Sequence, residues 1–364
     1  MGSHGRLPPG TGGNTGESGV ADVAGQSAAT MAAGATRPFL AADVGGTHAR
    51  IGLVSRTPGT AQPVQVHAYH RYACADWPSL TAVLEDFVTH LAPTAPIEQC
   101  AVASAGYVLG DAIVNDNLPW PVSIREIRER LGLARLAVVN DFEAVAFATQ
   151  FLTRADTIGV IDNTAPAAPG PVLVMGPGTG LGSAVLLPGP QGPTVLATEA
   201  GQIALAPGNE REIAILRILA RERSHVSFEH ALSGPGLLNL YQALCELEGR
   251  EPTLARPADI TRAALDRTDA QAVEALEVFC GLLGSFVGDL VLLYGARGGV
   301  FLAGGILPQI RELLLTSSFA TRFFNKGVMH AYLQQVPVRL MEHGQHGVIG
   351  AAGLYLESHS ATEC

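Results

Sequence analysis

Lysine is nearly missing from this 364-residue chain: Lys326 stands alone among 23 basic residues, and the rest are arginine. A phosphate-loop lysine and a Schiff-base lysine therefore have one candidate, and its setting, FFNKGVMH, suits neither. Cysteine is sparse and unpatterned. Cys74, Cys100, Cys245, Cys280 and Cys364 form no CxxC and are odd in number, which argues against a zinc site or a disulfide framework and for reduced thiols in a cytosolic protein. Positive charge is in deficit, with a formal net charge of -10, so a coat for nucleic acid or for an anionic membrane is excluded. No apolar segment flanked by basic residues opens the chain, so no signal peptide is expected. The longest apolar run, VFCGLLGSFVGDLVLLYG at 278–295, is broken by Asp289 and several glycines and reads as a buried helix rather than a membrane span.

What is abundant is apolar material: 47% hydrophobic residues against 15% charged, enough for two domains with their own cores. Residues 1–37 are Gly-, Ala-, Ser- and Thr-rich without an apolar period and read as a disordered tail. From Phe39 onward, short apolar runs read as strands: FLAADV, ARIGLV, QCAVASAG, LAVVN, PVLVMG, SAVLLP, TVLATE and GVFLAGG. Between them, helical patterns are expected at 79–90, 123–132, 210–222, 235–247, 258–267 and 271–294. This alternation indicates α/β architecture with mixed sheets.

One design occurs twice. Residues 39–54 run as apolar strand, Gly-Gly-Thr corner, apolar strand, and residues 172–187, VLVMGPGTGLGSAVLL, repeat it. Thr47 and Thr179 lie 132 residues apart, about a domain's length. A corner of this kind is either a tight Gly-rich turn or a cradle in which backbone N–H groups reach an anion. One corner alone fits both readings; two, one per domain, favour a clamp on a phosphate chain. Neither the G-x-G-x-x-G fingerprint nor a Walker A is complete in GPGTGLGSA. Asp43, just ahead of the first corner, could hold the hydration shell of Mg²⁺.

Further chemistry sits at strand ends. RLAVVNDFEAVAFA ends a strand at Asn140-Asp141 and begins a helix, the place where ligands of open α/β sheets gather; Asp141 could equally cap that helix. Glu199 and Glu229 stand in apolar, Gly-rich settings that suit a neutral, hydroxyl-rich ligand, and Asn117 supplies another amide. In GGVFLAGGILPQI, Gly304-Gly305 between a strand and a helix would let a flat ring lie against backbone, or would simply make a compact turn.

Taken in order, DVGGTHAR, NDFEAVAFA, GPGTGLGSA, EAGQIALAPGNERE, FEHALSGPGLLNLY and VFLAGGILP resemble the bacterial glucokinases, in the ATP-dependent group that lacks the ROK zinc-binding cysteines. The resemblance spans residue 39 to about 357. It implies the actin-like ATPase (ribonuclease H-like) fold, two α/β domains with mixed sheets flanking a deep cleft. Residues 38–150 with 347–358 would make the small domain, and 151–346 the large one. Gly45, Gly46 and Thr47, with Gly178, Thr179 and Gly180, would be the two phosphate loops for ATP, and Gly304 and Gly305 would line the adenosine pocket. Asn117, Asn140, Asp141, Glu199 and Glu229 fall on positions that hold glucose hydroxyls. The resemblance also implies MgATP as donor and a cytoplasmic homodimer. Asp141 would be the base for transfer to the 6-hydroxyl; at an ordinary aspartate pKa it is a weak base, but a loose transition state needs little help from one. Two positions depart from the family: His48 follows the threonine where relatives often have asparagine, and Gln202 replaces a histidine that touches the sugar. Gln202 can still donate and accept, though the strictness of glucose preference becomes a question. Competing readings are another hexose, polyphosphate as donor, or a sugar sensor, the last lacking any DNA-binding helix pair in residues 1–37.

Overall fold

The computed structural model describes residues 37–360 apart from 58, 60, 61, 116, 117, 163–167, 191 and 343. The expected tail lies outside the described residues, save its last position.

The first sheet is built from β1 (Phe39–Val44), β2 (His48–Arg56), β3 (Val64–Ala73) and β4 (Gln99–Ser104), closed by β8 (Arg135–Asn140). A small antiparallel sheet of β5 (Tyr107–Leu109), β6 (Ala112–Val114) and β7 (Val122–Ser123) intervenes. Its helices are α1 (Leu80–Leu91), α2 (Ile124–Leu131) and α3 (Asp141–Ala148). The second sheet holds β9 (Thr157–Ile161), β10 (Val172–Pro177), β11 (Leu181–Leu187), β12 (Thr194–Thr198), β13 (Gly299–Leu302) and β14 (Val338–Met341). Around it lie α4 (Glu210–Leu219), α5 (Gly234–Leu247), α6 (Pro257–Leu265), α7 (Ala270–Tyr294), α8 (Arg311–Thr316), α9 (Phe319–Phe324) and α10 (His330–Leu333). The final helix, α11 (His346–Ser360), returns to the first sheet.

The suspected duplication is visible in topology. The first sheet runs β3-β2-β1-β4-β8 and the second β12-β11-β10-β13-β14, with β9 added antiparallel at its edge. In each, a hairpin pairs antiparallel and its first strand pairs parallel with a later strand. Both corners are short Gly-Thr hairpin loops, with four residues between the last pair Val44 and Ala49 in the first and three between Pro177 and Leu181 in the second.

Period-2 alternation decides which way β1 points its side chains. Leu40, Ala42 and Val44 pack with Leu80, Val83, Leu84 and Phe87 of α1, whereas Phe39 and Ala41 pack with Val348, Ala351 and Tyr355 of α11. Asp43 shares the α11 face. A Cβ on Gly347 would stand 2.4 Å from the Asp43 carboxyl carbon, so the first turn of α11 lies directly on this carboxylate. α3 is the element common to both halves: it packs on α11 and also on β10, β11 and β12. Ala146 joins Val174, Ala184, Ala303 and Met341 in a core cluster between the sheets.

The helices expected at 79–90, 123–132, 210–222, 235–247, 258–267 and 271–294 are α1, α2, α4, α5, α6 and α7 within a few residues. One expectation needs correction, and several strands were not anticipated. After Gly304-Gly305 the chain makes bends and turns before α8 begins at Arg311, so no helix follows the glycine pair directly. Strand β3, VQVHAYHRYA, was missed because an edge strand half exposed on both faces carries no apolar run. Strands β5, β6, β7, β9 and β14 were also missed.

α7 carries the apolar run and is buried among α5, α6 and α9. It is held at its start by the Asp269 side chain, which accepts from the Ala272 amide at 2.8 Å, and closed by Gly295 at φ 61°. Beside it Glu212, 3% exposed, receives Arg322 (2.9 Å at Oε2), the Gly208 amide and the Asn209 amide, while Arg322 also reaches Ser285 Oγ at 3.0 Å. This hub ties α4, α7 and α9 together. Arg322→Ala strands a buried carboxylate, and the expected cost is about 3–5 kcal/mol in urea unfolding; a loss under 1 kcal/mol would show the pair to be dispensable.

Candidate active site

The corner Gly45-Gly46-Thr47 is closed by the Gly45 amide donating to His48 O at 3.0 Å. It is anchored from outside by Cys74, whose amide donates to Thr47 O at 2.9 Å and whose thiol donates to Gly45 O at 3.3 Å. Trp120 Nε1 in turn donates to Cys74 O at 3.3 Å. Thr47 is left exposed at the tip. The second corner is tighter by one residue: the Gly178 amide donates to Gly180 O at 2.8 Å, and Thr179 is exposed. Its anchors are the Gly234 amide, which donates to Gly178 O at 2.8 Å, and Glu229 Oε2, which accepts from the Leu181 amide at 2.8 Å.

Asp43 faces Arg50 across the β1–β2 pair, with Arg50 Nη1 donating to Oδ2 at 3.1 Å. Burial raises the Asp43 carboxyl above its ordinary range, and Arg50 partly offsets this. At the start of α3 the capping role that Asp141 could have taken falls to its neighbour. Asn140, not Asp141, is the cap: its Oδ1 accepts from the amides of Phe142 (2.9 Å) and Glu143 (3.2 Å), and Glu143 Oε2 takes the Asn140 amide in return. Asp141 occupies the first helical position and accepts from the Phe142 amide at 2.9 Å.

The ordinary pKa expected for Asp141 is overturned. Burial pushes its carboxyl up to about 7, the nearby charge of Asp43 adds to the rise, the Phe142 amide opposes it, and Glu199 adds a little more. Desolvation disfavours the charged form, and like charges disfavour it further. Two carboxylates from separate elements, Asp43 and Glu199, thus act on Asp141, with Glu199 exposed in the loop after β12.

Both hairpins meet the same turn of α3. Asp43 from the first acts on Asp141, and Gly182 of the second lies under the Phe142 ring, where a Cβ would come within 2.1 Å of ring carbons. Gln202 and Glu229 are also joined, Gln202 Nε2 donating to Glu229 Oε1 at 3.0 Å. Gly304, at φ 88°, presses against Pro177 O, where a Cβ would sit at 2.4 Å, which places it beside the second corner. Gly305 has nothing within 4 Å of a Cβ position and faces open space. Asn117 lies outside the described residues. A half-open cavity of about 660 Å³ elsewhere, lined by Leu152, Thr153, Asp156, Gln345 and His346 among others, contains none of these groups.

Sequence reasoning missed Arg50, Cys74, Trp120 and the Leu181 amide. Arg50 alone had a local signal, a cation in the middle of an apolar strand that needs a carboxylate partner. Cys74 and Trp120 act through backbone contacts that no residue pattern announces. The cysteines Cys74, Cys100, Cys245 and Cys280 are free and buried, and Cys364 lies outside the described residues.

A family model described as glucokinase matches residues 40–358. The chain is 41% identical over 327 residues to the glucokinase of Paramagnetospirillum magneticum, covering 88% of this chain and 98% of that one. It is 51% identical over 319 residues to a glucokinase-like protein of Xylella fastidiosa (87% and 94% covered). A crystal structure of glucokinase from an Antarctic psychrotroph superposes with a TM-score of 0.75 at 34% identity, covering 87% of this chain and 98% of that one. The fold is the actin-like ATPase fold, and the chain belongs to the glucokinase family.

Proposed function

We propose that this glucokinase transfers the γ-phosphoryl group of MgATP to the 6-hydroxyl of glucose, giving glucose 6-phosphate and ADP. The observation that carries the reading is the convergence of both Gly-rich hairpins on the first turn of α3, where the Asp141 carboxyl is pushed up to about 7. A base of that pKa is half ionised near neutral pH, as general-base catalysis favours. Asp141 accepts the hydroxyl proton as the sugar oxygen attacks phosphorus in line. The exposed hydroxyls of Thr47 and Thr179 and the amides of their corners receive the phosphates. Asn117, Asn140, Glu199, Gln202 and Glu229 hold sugar hydroxyls, Asn140 with its amide nitrogen because its oxygen caps α3. Gly304 and Gly305 take the adenosine, supported by the open space over Gly305.

Among the described residues no group of three or more His, Cys, Asp or Glu is arranged to hold a metal, so Mg²⁺ is read as part of the nucleotide substrate. Bound with the nucleotide it would neutralise phosphate charge, and Asp43 would be the carboxylate placed to meet its hydration shell. The separate cores around the two sheets support a small domain of 38–150 with 347–358 and a large domain of 151–346, closing to exclude water. The enzyme is read as a cytoplasmic homodimer.

The test is a coupled assay for glucose 6-phosphate with MgATP and glucose, run beside mannose, fructose, N-acetylglucosamine and a polyphosphate donor. Glucose-selective turnover with ATP is the expected result, at least tenfold above any other pair. A preference for another hexose would keep the base and move the specificity, which Gln202 motivates. No turnover by folded protein would point to a sensor.

A further inference from the structure

Glu229 does more than face a sugar. Its two carboxylate oxygens are divided between two sites: Oε1 accepts from Gln202, and Oε2 accepts from the amide of Leu181, the residue that follows Gly178-Thr179-Gly180. The carboxylate meets the loop with one oxygen, since a Cβ on Gly180 would stand 2.8 Å from Oε2. The segment that carries it is itself fastened. Ser233 Oγ donates to Glu229 O at 2.8 Å, and the Gly236 amide donates to Ser233 Oγ at 2.9 Å. Because the Gly234 amide also holds Gly178 O, residues 229–234 grip the loop at both of its ends. Gln202, by contrast, is exposed, and its side chain is free to yield its place to a ligand hydroxyl.

We propose that Glu229 is a positioning residue for the second phosphate loop and couples it to the hexose site, with Gln202 as the displaceable partner. The inference rests on the assignment of these two sites under the proposed function. A carboxylate is rigid and planar, so a hydroxyl that draws Oε1 toward the sugar also moves Oε2 against the Leu181 amide. Charge acts in the same direction. A carboxylate beside an anion-binding loop opposes phosphate, and sugar hydroxyls donating to it spread its charge and weaken that opposition. Hexose binding therefore raises nucleotide affinity, by an amount that depends on Glu229 carrying two acceptor oxygens.

The experiment is calorimetric titration of full-length protein with MgADP, in the absence of glucose and at saturating glucose, for wild type, Glu229→Gln and Gln202→Leu. Glu229→Gln keeps the shape but removes the charge and one of the two acceptor oxygens, so it can hold the Leu181 amide only by presenting its NH2 group to the sugar side. Gln202→Leu, at an exposed position, guards against a folding defect in the first variant. In wild type, glucose is expected to tighten MgADP about 10-fold, within the usual range for coupled sites. With glucose raised until each variant is itself saturated, Glu229→Gln is expected to bring this ratio below 2, and Gln202→Leu to cut it at least threefold, while both still bind MgADP. A variant that binds no glucose at any concentration would overturn the positioning role in favour of simple sugar contact. If both variants bind glucose and MgADP with the wild-type ratio, the coupling role is wrong while the site assignment stands. If wild type binds no glucose, the site assignment fails and the coupling fails with it.

Discussion

Replacing Asp141 with asparagine is expected to lower kcat about a thousandfold, inside the range that general-base catalysis supplies, while the glucose Kd changes by no more than a few-fold. Asparagine keeps the oxygen that accepts from the Phe142 amide, so the first turn of α3 is preserved. What it loses is the ability to take a proton. Because the wild-type carboxyl titrates at about 7, kcat/KM should fall tenfold per pH unit below that value. A shallow or acid-shifted profile, or a variant with near-full turnover, would remove Asp141 from the base role.

The same variant should be more stable than wild type. Asp141 has a folded pKa raised from 3.8 to about 7, so the native state holds a proton that the unfolded chain has already released. Its contribution to stability is complete below about pH 4 and is lost as pH rises to 7. The ceiling on that loss is about 4 kcal/mol, reduced because Asp141 keeps some contact with solvent. The Tm of Asp141→Asn should therefore exceed that of wild type by about 4 °C at pH 8 and match it near pH 4. A gap that is constant with pH would mean that the carboxyl is not held in this strained state.

Gly350→Ala is the second large effect. Gly347, Gly350 and Gly353 line one side of α11 three residues apart, against Asp43, Ala144 and Phe147 in turn. At Gly350 an added Cβ would fall 1.8 Å from the Ala144 carbonyl oxygen, a backbone atom that cannot rotate away. The helices must separate, and overpacking of this severity is expected to cost about 3 kcal/mol or more. Activity should suffer separately from stability. α3 carries Asp141 at its first position, and a shift of about 1 Å in a reacting group costs about 100-fold. Chemical unfolding and kcat measured well below the melting temperature distinguish the two losses. A variant with normal stability would show that α11 is free to slide on α3.

Much of this was legible in the residues because the signals were local. The strand FLAADV, the helical patterns at 79–90 and 271–294, and both Gly-Thr corners announce themselves through apolar runs, helical periodicity and the freedom of glycine. The two corners also announced each other, and the sheet orders of the two halves bear out that duplication. Asp141 was recognisable from its place at the end of an apolar strand.

Other properties of the same residues had no local cause. The pKa of Asp141 depends on burial, on Asp43 nearly 100 positions away, and on Glu199 in the second half of the chain. Glu229 lies 48 residues from the Leu181 amide it holds, and Cys74 lies 29 from Gly45. Side-chain type and spacing along the chain set which elements form and where chemistry can sit. Proton affinity, and the choice of oxygen that meets each donor, come from distance and dielectric, which exist only once distant segments have been packed together.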